Sequence, residues 1–146
     1  MIDRKWIGHR LPPSVLPIER TRVKFFAAAI GADDPVHSDV AAARAAGFPD
    51  LVAPPTFLFA AELESGVLFG FLAEAGIAIG RVLHGEQGFT WHRPVCVGDT
   101  VTVTSEITDI YAKRGGALEF IVKQSRAVDQ AGMLVAELRS VLVVRN

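Results

Sequence analysis

The residues best suited to chemistry lie in one short loop, where two carboxylates and an imidazole fall within five positions. These are Asp33, Asp34 and His37, in the run Gly-Ala-Asp-Asp-Pro-Val-His that begins at Gly31. The glycine and the proline keep this run out of regular structure. Carboxylates and imidazoles are the side chains that most often move protons in enzymes. The loop therefore predicts acid–base chemistry on a small substrate, with these three side chains as candidate catalytic residues.

Each of these residues also has a purely structural interpretation. A loop histidine such as His37 can simply hydrogen-bond to its neighbours. An aspartate before a proline, as Asp34 is, commonly forms and caps a turn. Both interpretations stay open at this level.

The apolar segment that follows the loop could provide the tunnel in which such a substrate lies. It opens at Pro54-Pro55-Thr56-Phe57, seventeen residues after His37, and continues to about Leu72. Because it is apolar on nearly all sides, the sequence predicts one long buried helix from Thr56 to about Leu72, wrapped by other structure. Its length of seventeen residues and its two internal glutamates make it a poor membrane span.

Length and composition indicate a single globular domain over residues 1–146. Half of the residues are hydrophobic and 21% are charged, which is typical of a chain with a substantial core. A formal net charge of -1 gives no reason to expect nucleic acid or an anionic membrane as a partner. Cys96 is the only cysteine, which predicts a buried structural thiol in an intracellular protein. No apolar run follows Met1–Lys5, so no signal peptide is predicted and the cytoplasm is the expected location.

The second half of the chain has the alternation of apolar and polar residues that is typical of β-strands. Strands are predicted over 81–91, from 101 onward, over 118–128 and over 133–144, with turn residues at 113–116 and 129–132. In the first half, helices are predicted over 19–30 and from Ser38 or Asp39 to Ala46. The sequence thus predicts an α+β fold, in which a curved antiparallel sheet wraps around the helix that begins near Thr56.

A second group of polar residues lies on the first of these strands. Alternation would place His84, Glu86 and His92 on one face, and such a trio could bind a metal ion. A zinc site usually needs a further positioned ligand and an open coordination position, and the predicted fold offers no obvious reason for one. A polar strand that faces solvent or a second chain is favoured, and neither a metal nor a cofactor is predicted.

Five motifs occur in order along the chain. They are Ile-Gly-Ala-Asp-Asp-Pro at 30–35, Ala-Ala-Ala-Arg-Ala-Ala-Gly at 41–47, Ala-Pro-Pro-Thr-Phe at 53–57, Gly-Glu-Gln at 85–87 and His-Arg-Pro-Val-Cys-Val-Gly-Asp at 92–99. Together they resemble the MaoC-like hydratases and dehydratases, and within that family the FAS1-like dehydratase modules. The resemblance covers nearly the whole chain. It implies the hot-dog fold and the hydration or dehydration of an acyl thioester, of the enoyl-CoA to 3-hydroxyacyl-CoA type.

The resemblance also implies roles for the loop residues. Active family members have an Asp-x-Asn-Pro-x-His loop that holds the water which adds to the β-carbon or leaves it. His37 matches the acid–base histidine and Asp34 matches the asparagine. The aspartate position falls on Ala32, which cannot accept a proton, so Asp34 or Asp33 would have to polarise the water.

A second departure from the family concerns the residues that would bind the substrate. Active members usually place a glycine at the helix start, where its amide binds the thioester oxygen. The matching residue here is Pro55, which has no N–H, so an amide of Thr56 or Phe57 would have to replace it. Arg93 would meet the phosphates of coenzyme A.

These departures leave three functions open. The chain is expected to be a hydratase or dehydratase acting on an acyl-CoA or acyl-carrier thioester. Alternatively, it is a non-catalytic subunit that holds the acyl chain while a partner supplies the catalytic pair, which Ala32 and Pro55 favour and His37 opposes. A thioesterase would need a carboxylate on the central helix, either Glu62 or Glu64. Hot-dog modules resemble one another in pairing, so a homodimer, or a heterodimer with a second hot-dog chain, is expected.

Overall fold

The fold is built on one antiparallel sheet of five strands. The computed structural model describes residues 1–146. The order of the strands in the sheet is β1-β3-β4-β5-β2, and every neighbouring pair is antiparallel. The predicted α+β architecture with an antiparallel sheet is therefore confirmed. The strands are Arg10–Pro17 (β1), Val82–Trp91 (β2), Thr100–Lys113 (β3), Leu118–Val128 (β4) and Leu134–Arg145 (β5).

Two helices precede the apolar segment, as the sequence predicted. Helix α1 spans Arg20–Ile30 and ends at Gly31, whose φ of 69° is a left-handed conformation that favours glycine. Helix α2 spans Val40–Ala45. The cap of α2 is Asp39 rather than Ser38, because the Asp39 carboxylate accepts a hydrogen bond from the Ala41 amide.

The long helix predicted from Thr56 to about Leu72 is wrong in one respect, because two helices occupy this segment. A 3₁₀ turn over Pro55–Leu58 leads directly into helix α3, Phe59–Glu64, and helix α4 follows over Val67–Glu74. Gly66, with a φ of 70°, separates them, and the two parts are bent by 49°. No single helix has the length and apolar character to cross a bilayer, although this bent pair does by length and composition alone.

The apolar segment is also less enclosed than predicted. Its sheet-facing residues are buried, but Leu63 is 43% exposed and Phe69 is 47% exposed. The helices therefore lie on one face of the sheet with an apolar side left open within the single chain.

A β-bulge in strand β2 decides which of its residues share a face. The register shifts between His84 and Glu86, with Gly85 as the extra residue. A Cβ atom added at Gly85 would lie 2.7 Å from the Val143 Cγ2 atom, so a side chain does not fit there. A bulge of this kind reverses the alternation of faces along a strand.

The shared face predicted for His84, Glu86 and His92 is wrong for His84 because of this bulge. His84 lies on the helix side, where its ring is 5.1 Å from the Phe59 ring. The Glu86 carboxylate instead bonds to Arg139 at 2.8 Å. His92 follows the strand and bonds to Glu137 at 2.9 Å. No three His, Cys, Asp or Glu side chains lie close enough together to hold one metal ion.

The helix side of the sheet buries two separate apolar clusters. The larger has 16 buried residues and joins α1, α2 and residues 51–61 to one end of the sheet. The smaller has 10 buried residues and packs α4 against the other end. Cys96 is buried, as predicted. Burial, with the nearby negative charges of Asp99 and Asp50, raises the pKa of its thiol, which disfavours the reactive thiolate.

Candidate functional site

The loop that carries His37 is held by hydrogen bonds at both of its ends. At the α1 end, the Ala32 amide donates to the Ala27 carbonyl at 2.9 Å. At the other end, residues Pro35–His37 form a 3₁₀ turn capped by Asp34, whose carboxylate accepts from the Val36 amide at 3.1 Å. These hydrogen bonds therefore fix the backbone of the loop, including that of the half-buried His37.

The His37 ring makes one hydrogen bond, and this bond fixes its tautomer. Its Nδ1 atom lies 2.7 Å from the Val52 carbonyl oxygen. A carbonyl oxygen only accepts, so Nδ1 carries the proton and the neutral ring keeps a lone pair on Nε2. The geometry therefore leaves Nε2 as a nitrogen that can accept a proton from a ligand.

The strand-like segment that bears the Val52 carbonyl is itself firmly held. The Val52 amide donates to the Val36 carbonyl at 3.0 Å, and the Ala53 amide donates to the Val95 carbonyl at 2.8 Å. Val52 also forms an isolated antiparallel bridge with Cys96. Residues 51–54 are buried, so the acceptor of the His37 bond cannot shift without disturbing the core.

The helical segment that follows presents one unused amide. Pro54 and Pro55 lack an N–H, and the Phe57 amide donates to the Pro54 carbonyl at 2.9 Å. The Thr56 amide has no acceptor in the chain, and Thr56 is exposed. Of the two amides predicted to bind a substrate oxygen, the Thr56 N–H is therefore the available one.

Phe57, predicted to bind the substrate, belongs to the core. It is 3% exposed, and its ring lies 5.3 Å from the Phe26 ring in an edge-to-face arrangement. The Arg22 guanidinium lies 5.7 Å from the same ring. Phe57 therefore anchors the start of the helical segment to α1.

Strand β2 ends against the same helical segment. The Trp91 indole N–H donates to the Pro55 carbonyl at 3.1 Å, which ties the end of the strand to the 3₁₀ turn. Arg93 lies two residues farther along, is exposed, and forms no ion pair in the chain. An unpaired guanidinium thus lies two residues after Trp91, which contacts Pro55.

The two predicted catalytic carboxylates are both exposed. Asp34 uses its Oδ1 atom to cap the 3₁₀ turn, and Asp33 makes no hydrogen bond within the chain. Ala32, at the position where the family resemblance implies an aspartate, is half-buried. The loop therefore carries its acidic groups on the solvent side and an inert methyl group at the half-buried position.

The two glutamates on helix α3 do not lie beside His37. Glu64 is exposed and forms an ion pair with Arg22. Glu62 is only 1% exposed and bonds to Lys123, Ser105 and Ser125 beneath the helix. Neither arrangement supports the thioesterase alternative, because neither carboxylate is directed to the candidate site.

The helix-free face of the sheet carries a separate groove of about 1070 Å³. Its lining is mainly polar and charged, and none of the predicted site residues contributes to it. The groove is therefore distinct from the His37 region.

Comparison with known proteins agrees with this geometry. The family model described as "FAS1-like, dehydratase domain region" matches residues 5–138. The chain belongs to this family. Among relatives of this FAS1-like dehydratase-region protein, the UPF0336 protein of Clavibacter michiganensis subsp. michiganensis is 43% identical over 141 residues, covering 94% of this chain and 92% of the relative. The UPF0336 protein of Saccharopolyspora erythraea is 33% identical over 146 residues, covering 99% and 92%.

Solved structures of similar fold include proteins named as hydratases and dehydratases. The HadBC (3R-hydroxyacyl-ACP dehydratase) complex of Mycobacterium tuberculosis includes a chain with a TM-score of 0.79 and 26% identity, covering 94% of this chain and 96% of that chain. A MaoC-like dehydratase gives a TM-score of 0.84 and 27% identity, and 97% of this chain matches 42% of that longer one. The expected hot-dog fold is thereby confirmed.

Sequence reasoning missed two contacts that build this region. The Val52 carbonyl, which orients His37, belongs to a backbone segment that no side-chain motif marks. The bond from Trp91 to Pro55 joins residues 36 positions apart. The only feature of the sequence that could have indicated the second contact is the position of Trp91 at the end of a predicted strand, close to Arg93.

Proposed function

We propose that this FAS1-like dehydratase-region protein hydrates enoyl thioesters and dehydrates 3-hydroxyacyl thioesters in the cytoplasm, with His37 Nε2 as the proton-transferring atom. The observation that carries the proposal is the 2.7 Å bond between Nδ1 and the Val52 carbonyl. It leaves Nε2 unprotonated in the neutral ring, as a general base requires. The dehydratase names of the structural relatives agree with this chemistry.

The reaction would use the available groups in two steps. In hydration, His37 Nε2 takes a proton from water while the water oxygen bonds to the β-carbon. The π electrons move to the thioester oxygen, where the Thr56 N–H stabilises the enolate. The imidazolium then returns a proton to the α-carbon. Asp34, or Asp33 beside it, would orient the water from the exposed side of the loop.

Binding of the carrier would use Arg93. Arg93 is exposed, forms no ion pair and lies two residues after Trp91, which contacts Pro55, so it would meet the phosphate of coenzyme A or of an acyl-carrier protein. The apolar helical segment after Thr56 would receive the acyl chain.

A second hot-dog chain would complete the assembly. Strand β2 is an edge strand, with Leu83 and Trp91 each 49% exposed. Edges that carry apolar side chains and unpaired backbone groups favour pairing with another chain. Among the relatives, HadBC and the ChsH1-ChsH2 complex are two-component assemblies. The partner would be either a second copy or a different hot-dog chain.

A non-catalytic subunit is the second candidate function. Ala32 and Pro55 favour it, since they remove a carboxylate and an amide that active family members use. In that case the partner chain supplies the catalytic pair.

The purified chain, incubated with a short enoyl-CoA, distinguishes these functions. Loss of the conjugated absorbance with a hydroxyacyl product supports the hydratase, whereas an unchanged substrate supports the subunit and free CoA supports a thioesterase. His37→Ala should lower turnover by about two to four orders of magnitude, the usual contribution of a general acid–base group. His92→Ala is the matched control, because that ring is exposed and bonds only to Glu137. A His37→Ala variant that is folded and fully active would refute the assignment.

A further inference from the structure

Buried polar side chains form a row across the helix-facing side of the sheet, between the two apolar clusters. Every strand contributes to it, and we call this set the polar row. Six of the seven buried polar or charged residues of the chain lie in it or on the helix above it, Glu119 being the exception. The buried members of the row are Ser14 (β1), Ser105 (β3), Lys123 and Ser125 (β4) and Ser140 (β5), with Glu62 of α3 above them, and the half-buried Gln87 (β2) completes it.

The polar row is bonded most densely around Glu62. Its Oε1 atom lies 2.5 Å from Lys123 Nζ and accepts a 3.0 Å hydrogen bond from the Ser105 hydroxyl. Ser125 donates to the same oxygen, and the Ser105 and Ser125 hydroxyls lie 2.9 Å apart. One carboxylate oxygen thus joins α3 to two neighbouring strands.

Further bonds in the row hold the remaining strands. The Ser14 hydroxyl of β1 donates to the Ser65 hydroxyl at 2.8 Å, directly before the helix break. The Ser140 hydroxyl donates to Gln87 at 2.6 Å, and Gln87 lies 3.1 Å from His84 Nε2 at the sheet edge. The row therefore sits beneath the C-terminal end of α3.

Stability alone does not explain this arrangement. Burying two charges carries a large desolvation cost, and an apolar pair of similar volume is often as stable or more so. Burial lowers the pKa of Lys123 even though the Glu62 carboxylate opposes that change. The other Glu62 oxygen, Oε2, is buried without any hydrogen-bond partner. The pair therefore carries an electrostatic cost that an apolar interface would not have.

What the Glu62–Lys123 pair adds is a defined position for helix α3 on the sheet. Apolar contacts are non-directional, so they define the depth and rotation of a short helix less narrowly than hydrogen bonds of fixed geometry do. Helix α3 has six residues, no capping side chain at its start and a glycine break after its end. Three bonds to one carboxylate oxygen hold it to a single position on the sheet.

We propose that the Glu62–Lys123 pair, with Ser105 and Ser125, positions helix α3 and thereby sets the place of the Pro55–Leu58 turn at the candidate site. Glu62 and Lys123 are in this sense positioning residues, since neither reaches the site itself. The link is mechanical: residues Pro55–Glu64 form one helical segment, in which Glu62 lies about 10–14 Å from Pro55 at a rise of about 1.5–2.0 Å per residue. The consequence for catalysis rests on the proposed function, but the displacement of the turn does not.

Trp91 reports the position of the turn without any assay of activity. Its indole N–H bonds to the Pro55 carbonyl at 3.1 Å, so its NMR signal is sensitive to the distance between β2 and the turn. The chain has two tryptophans. Trp6 packs against Phe71 at the far end of the helices, and its indole signal is the internal control.

The test is the double variant Glu62→Leu/Lys123→Met, which removes both charges and leaves Ser105 and Ser125 bonded to each other. The matched control is Glu119→Gln, which alters the other buried carboxylate, far from α3. We expect the double variant to stay folded with a melting temperature close to that of the wild type. The Trp91 indole signal should move toward that of a free indole, while the Trp6 signal stays in place. Glu119→Gln should move neither signal.

Turnover gives the second measurement. A displacement of about 1 Å at a site lowers rates by up to about a hundredfold, so kcat with enoyl-CoA should fall by roughly ten- to a hundredfold, with a much smaller change in KM. An unmoved Trp91 signal would overturn the proposal, whether or not the melting temperature falls, because the pair would then act on stability alone. If the wild type has no activity, the proposed function fails, and the Trp91 signal still decides this inference.

Discussion

Replacement of Lys123 alone should be among the most destabilising single substitutions in the chain. Lys123→Met removes the ammonium group and leaves the Glu62 carboxylate buried at 1% exposure with no counter-charge. Ser105 and Ser125 still donate to Oε1, so two hydrogen bonds remain. They do not compensate the charge, because a hydroxyl dipole stabilises a buried carboxylate less than a cation does.

The expected loss in the free energy of unfolding is about 3–5 kcal/mol, the usual cost of breaking a buried ion pair on one side. For a domain of this size, each kcal/mol changes the melting temperature by about 2–4 °C. Lys123→Met should therefore melt about 6–20 °C below the wild type. Calorimetry or circular dichroism at neutral pH measures this difference directly.

Two further variants separate the unpaired charge from other causes. Glu62→Gln in the Lys123→Met background removes the charge but keeps the side-chain length, so it should recover most of the lost stability. Lys24→Met replaces an exposed lysine and should change the free energy of unfolding by less than about 0.5 kcal/mol. A Lys123→Met variant that melts within about 2 °C of the wild type, or a Glu62→Gln change that restores no stability, would show that an unpaired buried charge is not the cause.

Three other substitutions test separate parts of the structure. Ala32→Asp places a carboxylate five residues before His37 and should raise hydratase turnover by about tenfold or more; a folded variant with no gain would contradict the loop alignment. Gly85→Ala brings a Cβ within 2.7 Å of Val143 and should lower the free energy of unfolding by about 1–3 kcal/mol. Gly88→Ala, whose nearest atoms lie at 3.9 Å, should not, and thermal melts of the two variants measure the difference. Burial would raise the pKa of Glu119, but hydrogen bonds from Asn146 and Ile2, with nearby positive charges, lower it below 4.5. The stability that Glu119 adds over Glu119→Gln is therefore fully present above the ordinary glutamate pKa, and it should shrink in acid urea titrations as the pH falls through the lowered pKa of Glu119.

Local pattern was sufficient for the four strands in the second half of the chain, β2 to β5, but not for β1. Strand β4 has the predicted bounds, 118–128, and the other predicted strands differ from the observed ones by only a few residues or by their continuation. Alternating apolar and polar residues predict a strand wherever one face of the sheet is buried, and turns that contain glycine mark the ends of the strand. Each of these signals extends over fewer than about ten residues, so it can be recognised in the sequence without knowledge of the tertiary contacts.

The errors arose where a glycine altered the pattern. Gly66 divides the apolar segment into α3 and α4, and Gly85 inserts the bulge that moves His84 to the helix side. Hydrophobicity averaged over a segment conceals both effects. In each case the glycine was visible in the sequence, but whether it bends the chain depends on the contacts that surround it.

The pairing of Glu62 with Lys123 was beyond the reach of sequence patterns. The two residues lie 61 positions apart, and each has a common explanation as a surface charge. A lysine that follows Ile121 and Val122 on a helix-facing strand position is unusual, but nothing in the pattern indicates its partner. Only the packing of α3 on β4 brings the two charges together.

Three contacts from distant parts of the chain hold the start of the apolar helical segment. His37 is bonded to Val52, two residues before the prolines; Trp91 holds Pro55 from the side; and Glu62 holds the helix from below. None of these contacts involves Ala32. The absence of a carboxylate at position 32 therefore leaves the contacts that hold the candidate site intact. A carboxylate added at position 32 is therefore expected to change turnover without a change in fold. Loss of the Glu62 and Lys123 charges should instead displace the site, even though His37 is unchanged.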